Sequence, residues 1–340
     1  MYLGSKEVKN FKLGDKQVKS IYLGDKQIWS DFVYDYVDDN EYNEIDFLYT
    51  TDLHGIWLEG NYRYTREGWP SPSYAYLVSS TYKSIEAYKN NLESQGIKTL
   101  LIDGGDFTHC SGTNSQGNEP QINLDYGLTA VNRMNSAGYF AATVGNHEYR
   151  EGVNQDYGSR AVDNILKKFT GNSEECSIVA CNLFGPDGEL VFKPYKTAKI
   201  GSKKIAVIGV AAAGFDSTTI ASLWSGYSLV DGADLYNLVQ GYLDLFISHN
   251  FDQVILLDHL GLNGDGGRWV AGTNSVVQNT SGITIATVAH DHEARTSAII
   301  TDKDGNSVHR AAQPRCAFLY LTRIRIPSTG TVSSEYLQTY

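Results

Sequence analysis

Short apolar runs alternate with amphipathic stretches through most of this chain, and that alternation leaves few folds open. The runs are IDFLYT (45–50), KTLLI (98–102), FAATV (140–144), KIAVIGV (204–210) and QVILL (253–257). Each has the length and β-branched or aromatic content of a buried strand. The clearest stretch between strands carries Leu235, Leu238, Val239, Tyr242, Leu243 and Phe246 at helical spacing. Beyond residue 294 the pattern turns to β: SAIIT, a turn at DKDGN, then AFLYLTRIRI and TVSSEYL. Strands and helices in alternation, with a β-rich end, predict a layered α/β domain over residues 45–340. A chain that is 41% hydrophobic has ample material for its core.

Five polar motifs fall where strands of this kind end, and open α/β sheets expose their sites at the carboxyl ends of strands. They are Asp52-Leu53-His54-Gly55, Gly104-Gly105-Asp106, Gly145-Asn146-His147-Glu148, Asp258-His259-Leu260-Gly261 and His290-Asp291-His292. Five of the eight histidines lie in these motifs. Alone, a D-x-H or H-x-H is incidental in most sequences, and an isolated histidine such as His259 is more often a hydrogen-bonded core residue. Together the motifs supply what a pair of divalent ions needs. Carboxylates offset the charge and one can bridge, while neutral imidazoles and an amide oxygen fill the remaining positions. In an extended H-x-H both imidazoles lie on one side. The combination predicts a dinuclear metal site.

The chain opens on a ten-residue repeat: YLGSKEVKNF, KLGDKQVKSI and YLGDKQIWSD, from residue 2 to residue 31. Gly-Ser or Gly-Asp followed by Lys is a turn signal between β-forming residues, so the repeats predict a short β-meander over residues 1–30. Its apolar positions fall on both faces, which requires a partner surface. Packing on its own chain and docking or self-association are the two readings. Residues 1–30 hold six lysines and three acids, whereas 31–46 hold seven acids and no basic residue. Residues 31–44 read as an acidic linker, without the regular spacing and glycine of a calcium loop.

Other functions are excluded or disfavoured by composition. Twenty-eight basic against thirty-nine acidic residues, a net charge of −11, argue against strong nucleic-acid binding. No apolar run approaches the length of a membrane span, and the N-terminus shows no secretory signal. Cys110, Cys176, Cys181 and Cys316 form no CxxC pair and read as reduced thiols. Tyr62, Tyr64, Tyr74 and Tyr76 cluster after the first motif, as packing residues or as a rim for sugar or base.

In order and content, TTDLHG, IDGGD, VGNHE, DHLG and AHDHE resemble the calcineurin-like metallophosphoesterase superfamily, most like its 5′-nucleotidase branch. The resemblance covers roughly residues 45–326. It implies an α/β fold, a four-layer αββα sandwich with two β-sheets flanked by helices, here preceded by the β-repeat segment. It further implies that Asp52, His54, Asp106 and His292 hold one ion. Asp106 bridges to a second ion completed by Asn146, His259 and His290. The ions would be Mn, Fe, Zn or similar, and a hydroxide between them would attack phosphorus in line. His147 would stabilise the transition state or protonate the leaving oxygen.

Some positions depart from the family pattern. Ala289 replaces the glycine before H-x-H, and the acid that supports the motif histidine in nucleotidases is replaced by Arg150. His109 stands where the phosphoprotein phosphatases carry their own acid. Arg150 becomes a candidate contact to substrate phosphate, with a surface position as the alternative. The nucleoside-gripping second domain of the nucleotidases has no counterpart in this sequence, so the substrate is left as a phosphomonoester or a phosphodiester.

The decapeptide repeat resembles the LGDK-type stretches of bacteriophage tail-associated proteins. It suggests a virion-associated enzyme acting on a cell-surface phosphodiester, with the virion or another copy of the chain as partner through residues 1–30. The alternatives are a cytoplasmic nucleotide or cyclic-nucleotide phosphatase, and a non-catalytic tail or receptor-binding module stabilised by its metals.

Overall fold

The computed structural model describes residues 32–53, 81–107, 128–148, 177–212, 226–265, 269–313 and 320–338. It also describes the backbone of the strands within 2–30 and of Asn61–Arg63, Ala75–Leu77 and Thr113–Asn114. The chain divides into two units, Met1–Asp35 and Tyr36–Tyr340.

In the first unit each decapeptide folds back on itself. Tyr2–Leu3 pairs with Lys6–Glu7, Lys12–Leu13 with Lys16–Gln17, and Ser20–Leu23 with Lys26–Ser30, all antiparallel. The register repeats with the sequence: Leu3 faces Lys6, Leu13 faces Lys16 and Leu23 faces Lys26. Two residues of sequence separate the strands of each pair, the length of the shortest hairpin connection. The expected meander is thus a series of separate two-stranded hairpins.

The second unit is built on two sheets. One runs in the order Ser177–Ile178, Tyr139–Ala142, Lys98–Asp103, Glu44–Thr50, Tyr320–Pro327, Ser333–Gln338. Its first four strands are parallel and the last two antiparallel. The other runs Ala298–Thr301, Ser307–Arg310, Ile285–Ala286, Gln253–Asp258, Lys203–Val210, Tyr195–Ile200, Tyr36–Asp38, with a parallel centre.

Strand alternation sends successive side chains to opposite faces. Phe47, Tyr49 and Ile102 pack with Ile205, Val207, Ile255 and Leu257, which joins the two sheets face to face. Leu48 and Leu101 point the other way, onto Ile85 and Leu92 of the Thr81–Ser94 helix and Val131 and Met134 of the Leu128–Ala137 helix. The second sheet has its own helices, Gly232–Ser248, which buries Leu235, Val239, Leu243 and Phe246, and Thr273–Asn279, which buries Val276 and Val277. Helix, sheet, sheet, helix is the expected four-layer αββα sandwich. Gly209 marks how closely its parts approach, because a Cβ there would collide with the Val179 carbonyl.

Tyr36–Asp38 lies within the stretch read as an acidic linker, and it adds a parallel strand beside Tyr195–Ile200. Asp38 anchors it. Its Oδ2 lies 2.8 Å from Lys98 Nζ and accepts from the Tyr42 hydroxyl, while Oδ1 accepts from the Asn40 N–H and side-chain amide. Burial pushes the Asp38 carboxyl up, but the bonds from Lys98 and Asn40 outweigh it and hold the group well below the ordinary carboxylate range. A carboxylate depressed in the folded state adds stability above the unfolded value of about 4, lost as pH falls through the folded one. Asp38→Asn is therefore expected to lower stability at pH 7 by about 1 to 2 kcal/mol. The gap to the parent should close as urea denaturation is repeated from pH 5 downwards. A gap independent of pH would show that the charge is not what holds the strand.

Cys181 is a buried free thiol, and burial pushes it up to about 12. Cys110, Cys176 and Cys316 lie outside the described residues, as do Tyr64 and Tyr74. Tyr62 and Tyr76 are register partners in the backbone of an antiparallel strand pair. Among the described residues no helix is long and apolar enough to cross a membrane.

Candidate metal centre

Four parallel strands, two from each sheet, end at one place, and a fifth from the first sheet joins them. Glu44–Thr50 leads into Asp52, Lys98–Asp103 into Asp106, Tyr139–Ala142 into Asn146 and His147, Gln253–Asp258 into His259, and Ile285–Ala286 into His290 and His292. The backbone turns sharply at the end of several of these strands. Asp52, Asp106, His290 and His292 all have positive φ, between 53° and 74°, and among described non-glycine residues only Asn250 joins them. This region costs energy for residues with a Cβ, so the surrounding structure must hold it.

The hold is visible bond by bond. The Asp52 N–H donates to the Gly105 carbonyl at 2.9 Å and the Gly104 N–H to the Thr50 carbonyl at 2.8 Å, lacing the first two loops together. Gly105 has φ of 96°, and a Cβ there would stand 2.6 Å from the Gly145 nitrogen and 2.9 Å from His259 Nδ1. Glycine is what lets the second, third and fourth motifs meet. Glu148 completes the frame: its carboxylate accepts from the backbone N–H groups of Asp106 at 2.9 Å, Phe107 at 2.9 Å and Gly145 at 2.7 Å.

Within this frame most acceptors are committed and a few are left over. Asp52 Oδ2 accepts from the Thr51 hydroxyl at 2.7 Å and the His290 N–H at 3.2 Å. Asp52 Oδ1 makes no hydrogen bond although buried, and lies 2.9 Å from His292 Nε2 and 3.9 Å from His259 Nε2. His259 donates from Nδ1 to the Gly104 carbonyl at 2.6 Å, which leaves a lone pair on Nε2. That nitrogen is buried without a hydrogen bond, 3.1 Å from Asp106 Oδ2. Asn146 Oδ1 is likewise buried and unpartnered. Buried polar atoms rarely go unsatisfied, and two of these three orphans, Asp52 Oδ1 and His259 Nε2, lie 3.9 Å apart, so they need an explanation.

Two groups of side chains explain it. Asp106, His259 and His290 offer ligand atoms within 4.8 Å of one another, and so do Asp52, Asp106 and His292. Asp106 belongs to both. Carboxylate oxygens and imidazole nitrogens suit Mn, Fe or Zn, and a carboxylate common to two groups is the donor that two adjacent cations share. The donor set fits a pair of divalent ions.

Electrostatics agree. Burial disfavours the charged ring of His259, yet the Asp106, Asp52 and Glu148 carboxylates overcome it and push the group up to about 10, so that a proton on Nε2 competes with a cation for that lone pair. Burial, followed by repulsion from Asp106, drives Glu148 up to about 7. Burial and the neighbouring His259 push His290 down. Three carboxylates sequestered from water carry an excess of negative charge, which cations relieve.

Asp52, Asp106, His259, His290 and His292 thus meet in space, and Asn146 lies on the adjoining loop between Gly145 and His147. The His147 N–H donates to Asp106 Oδ1 at 2.7 Å, its ring Nε2 lies 3.9 Å from Asp106 Oδ2, and the side chain is 19% exposed. His54, His109 and Arg150 lie outside the described residues. Two contributors escaped the reading of the sequence. Glu148 was visible only as the last letter of its motif, and Asp265, whose carboxylate lies 3.2 Å from His290 Nε2, sits in no motif at all.

Comparison with known proteins gives a consistent picture. A sequence model described as calcineurin-like phosphoesterase matches residues 45–294. No curated protein matches significantly. Among solved structures, the chain is similar to a 5′-nucleotidase precursor from Thermus thermophilus, at 14% identity and a TM-score of 0.62, covering 87% of this chain and 54% of that one. It is similar to the NAD nucleotidase of Haemophilus influenzae at 15% identity and a TM-score of 0.60, over 86% of this chain and 49% of that one. It also resembles a sulfate thiohydrolase of Thermus thermophilus at 18% identity and a TM-score of 0.64, over 89% and 58%. The chain spans about half the length of these structures.

Proposed function

The chain belongs to the calcineurin-like phosphoesterase family, a metal-dependent phosphoester hydrolase, and from that premise we propose how its residues divide the work. Asp52, His54, Asp106 and His292 hold one divalent ion; Asp106, Asn146, His259 and His290 hold the other. The observation that carries this reading is the pair of ligand groups sharing the buried Asp106. When bound, such ions offset the charge of a phosphoryl group and lower the pKa of water.

The remaining residues position and move protons. His147 is held by its backbone N–H on Asp106 while its ring keeps access to solvent, the arrangement for a group that gives a proton to a leaving oxygen. Glu148 fixes the two loops that carry Asp106 and Asn146. Arg150, three residues beyond His147, contacts the substrate phosphate as a bidentate donor.

For the substrate we propose a phosphodiester presented on a cell surface. The N-terminal hairpins would serve as a docking or self-associating element of a tail-borne enzyme. Supporting it are the repeat's likeness to tail-associated proteins and three hairpins in one repeating register. A nucleotide phosphatase is the second reading, favoured by fold neighbours that are themselves nucleotidases.

Bis-p-nitrophenyl phosphate and p-nitrophenyl phosphate, compared with Mn²⁺ supplied, separate the two. The diester is expected to turn over faster by about tenfold or more in kcat/KM, a difference of about 1.4 kcal/mol in transition-state binding. A preference for the monoester, together with release of phosphate from nucleoside monophosphates, would move the assignment to the nucleotidase reading.

A further inference from the structure

His290 is gripped from two sides by residues outside the motifs. Asp265 Oδ2 stands 3.2 Å from its Nε2. The Trp269 ring lies against the imidazole with centroids 4.9 Å apart, inclined at 57°. Trp269 is itself fixed: it is 4% exposed, and its indole N–H donates to the Leu260 carbonyl at 2.8 Å. Asp265 and Trp269 are joined through their backbones, the Trp269 N–H donating to the Asp265 carbonyl at 3.3 Å. The segment just beyond is tied down as well, since the Val270 and Ala271 N–H groups donate to the Asp231 carboxylate at 2.7 and 3.0 Å. Asp231 directly precedes the Gly232–Ser248 helix but spends its carboxylate on this segment rather than on capping that helix.

A neutral imidazole has one N–H and one lone pair, and whichever nitrogen donates cannot ligate a cation. His259 has its tautomer set by the Gly104 carbonyl. We infer that Asp265 does the same for His290: it is a positioning residue that accepts from Nε2–H and leaves the lone pair on Nδ1 for the ion that His290 helps to hold, while Trp269 restrains the ring plane. Asp265 belongs to neither ligand group, so its contribution passes through His290. A carboxylate or carbonyl behind a ligating histidine fixes ring orientation and raises its basicity, and losing it costs about 10- to 100-fold in metal affinity. The inference rests on the dinuclear reading above.

Calorimetric titration of the metal-free protein with Mn²⁺, followed by electron paramagnetic resonance of the loaded samples, tests it. The parent should bind two ions and give an exchange-coupled spectrum. In Asp265→Ala one of the two affinities should fall about 10- to 100-fold, with a mononuclear signal at limiting Mn²⁺. Asp265→Asn, whose amide oxygen can still accept, should retain most of the parent's affinity. Unchanged binding in Asp265→Ala overturns the inference, and so does Asp265→Asn binding as weakly as Asp265→Ala, because the acceptor would then not be what matters. A parent that binds no ion pair fails the dinuclear reading itself, which keeps the two failures apart. Should Asp265→Ala not fold, ¹⁵N resonances of the Zn²⁺-loaded parent, with His290 identified from His290→Gln, decide the question. Protonated Nε2 is expected, and protonated Nδ1 overturns the inference.

Discussion

Asp106→Asn is expected to abolish hydrolysis, with kcat falling by about 10⁴-fold or more, while the fold survives. Both oxygens of Asp106 are occupied: Oδ1 accepts from the His147 N–H at 2.7 Å, and Oδ2 faces His259 Nε2 at 3.1 Å. An amide in that place keeps one oxygen and turns an NH₂ either against a backbone donor or into the space between the ligand groups. In the first orientation His147 loses its anchor. In the second the shared negative charge is replaced by a donor where two cations need an acceptor. The backbone N–H of residue 106 still donates to Glu148, so the loops stay laced together. Turnover of bis-p-nitrophenyl phosphate, with metal content measured on the same sample, is the check. Parent-like turnover in the variant would remove Asp106 from the mechanism.

Glu148→Ala is expected to act on stability as strongly as Asp106→Asn acts on turnover. Its carboxylate receives three backbone N–H groups from two loops and is 4% exposed. An orphaned buried donor costs about 1 to 3 kcal/mol. Three donors sharing one acceptor group do not add independently, so a loss of about 4 kcal/mol is expected. This is a large share of a marginal total. The loops would also be free to leave the positive-φ geometry of Asp106. Urea denaturation of the metal-free protein measures the stability, and weaker binding of the ion pair should accompany the loss. Full stability in Glu148→Ala would mean that water or a neighbouring residue replaces the carboxylate.

Much of this centre is legible in one dimension because its chemistry is local. Asp52, Asp106, Asn146, His259, His290 and His292 are each read from a short motif, because a side chain must sit just past the end of a strand to reach a site outside the sheet. The strands are legible for the same reason: Glu44–Thr50 and Gln253–Asp258 are near-continuous apolar runs, as strands covered on both faces must be. Where the pattern is short or polar, reading fails. Ile285–Ala286 has only two residues and still delivers His290 and His292. Tyr36–Asp38 lies in a run of acids, and the charge of Asp38 is neutralised by Lys98, a partner remote in sequence.

By itself, then, the amino-acid order determined which acids and histidines stand at the strand ends, the layered α/β class and the repeating strand pairs of the N-terminal decapeptides. All of these follow from periodicity and residue type over a few positions. The tertiary structure alone decided how they serve one another. His259 finds its acceptor at Gly104, 155 residues away, and Tyr49 donates to Val288 across 239. Glu148 becomes the bolt of the second and third motifs, and Asp265 comes to stand behind His290. No local rule encodes these pairings. Two sheets must first pack face to face and bring their carboxyl edges together, and only then do burial and shortage of water force each remaining polar atom to take the partner it has.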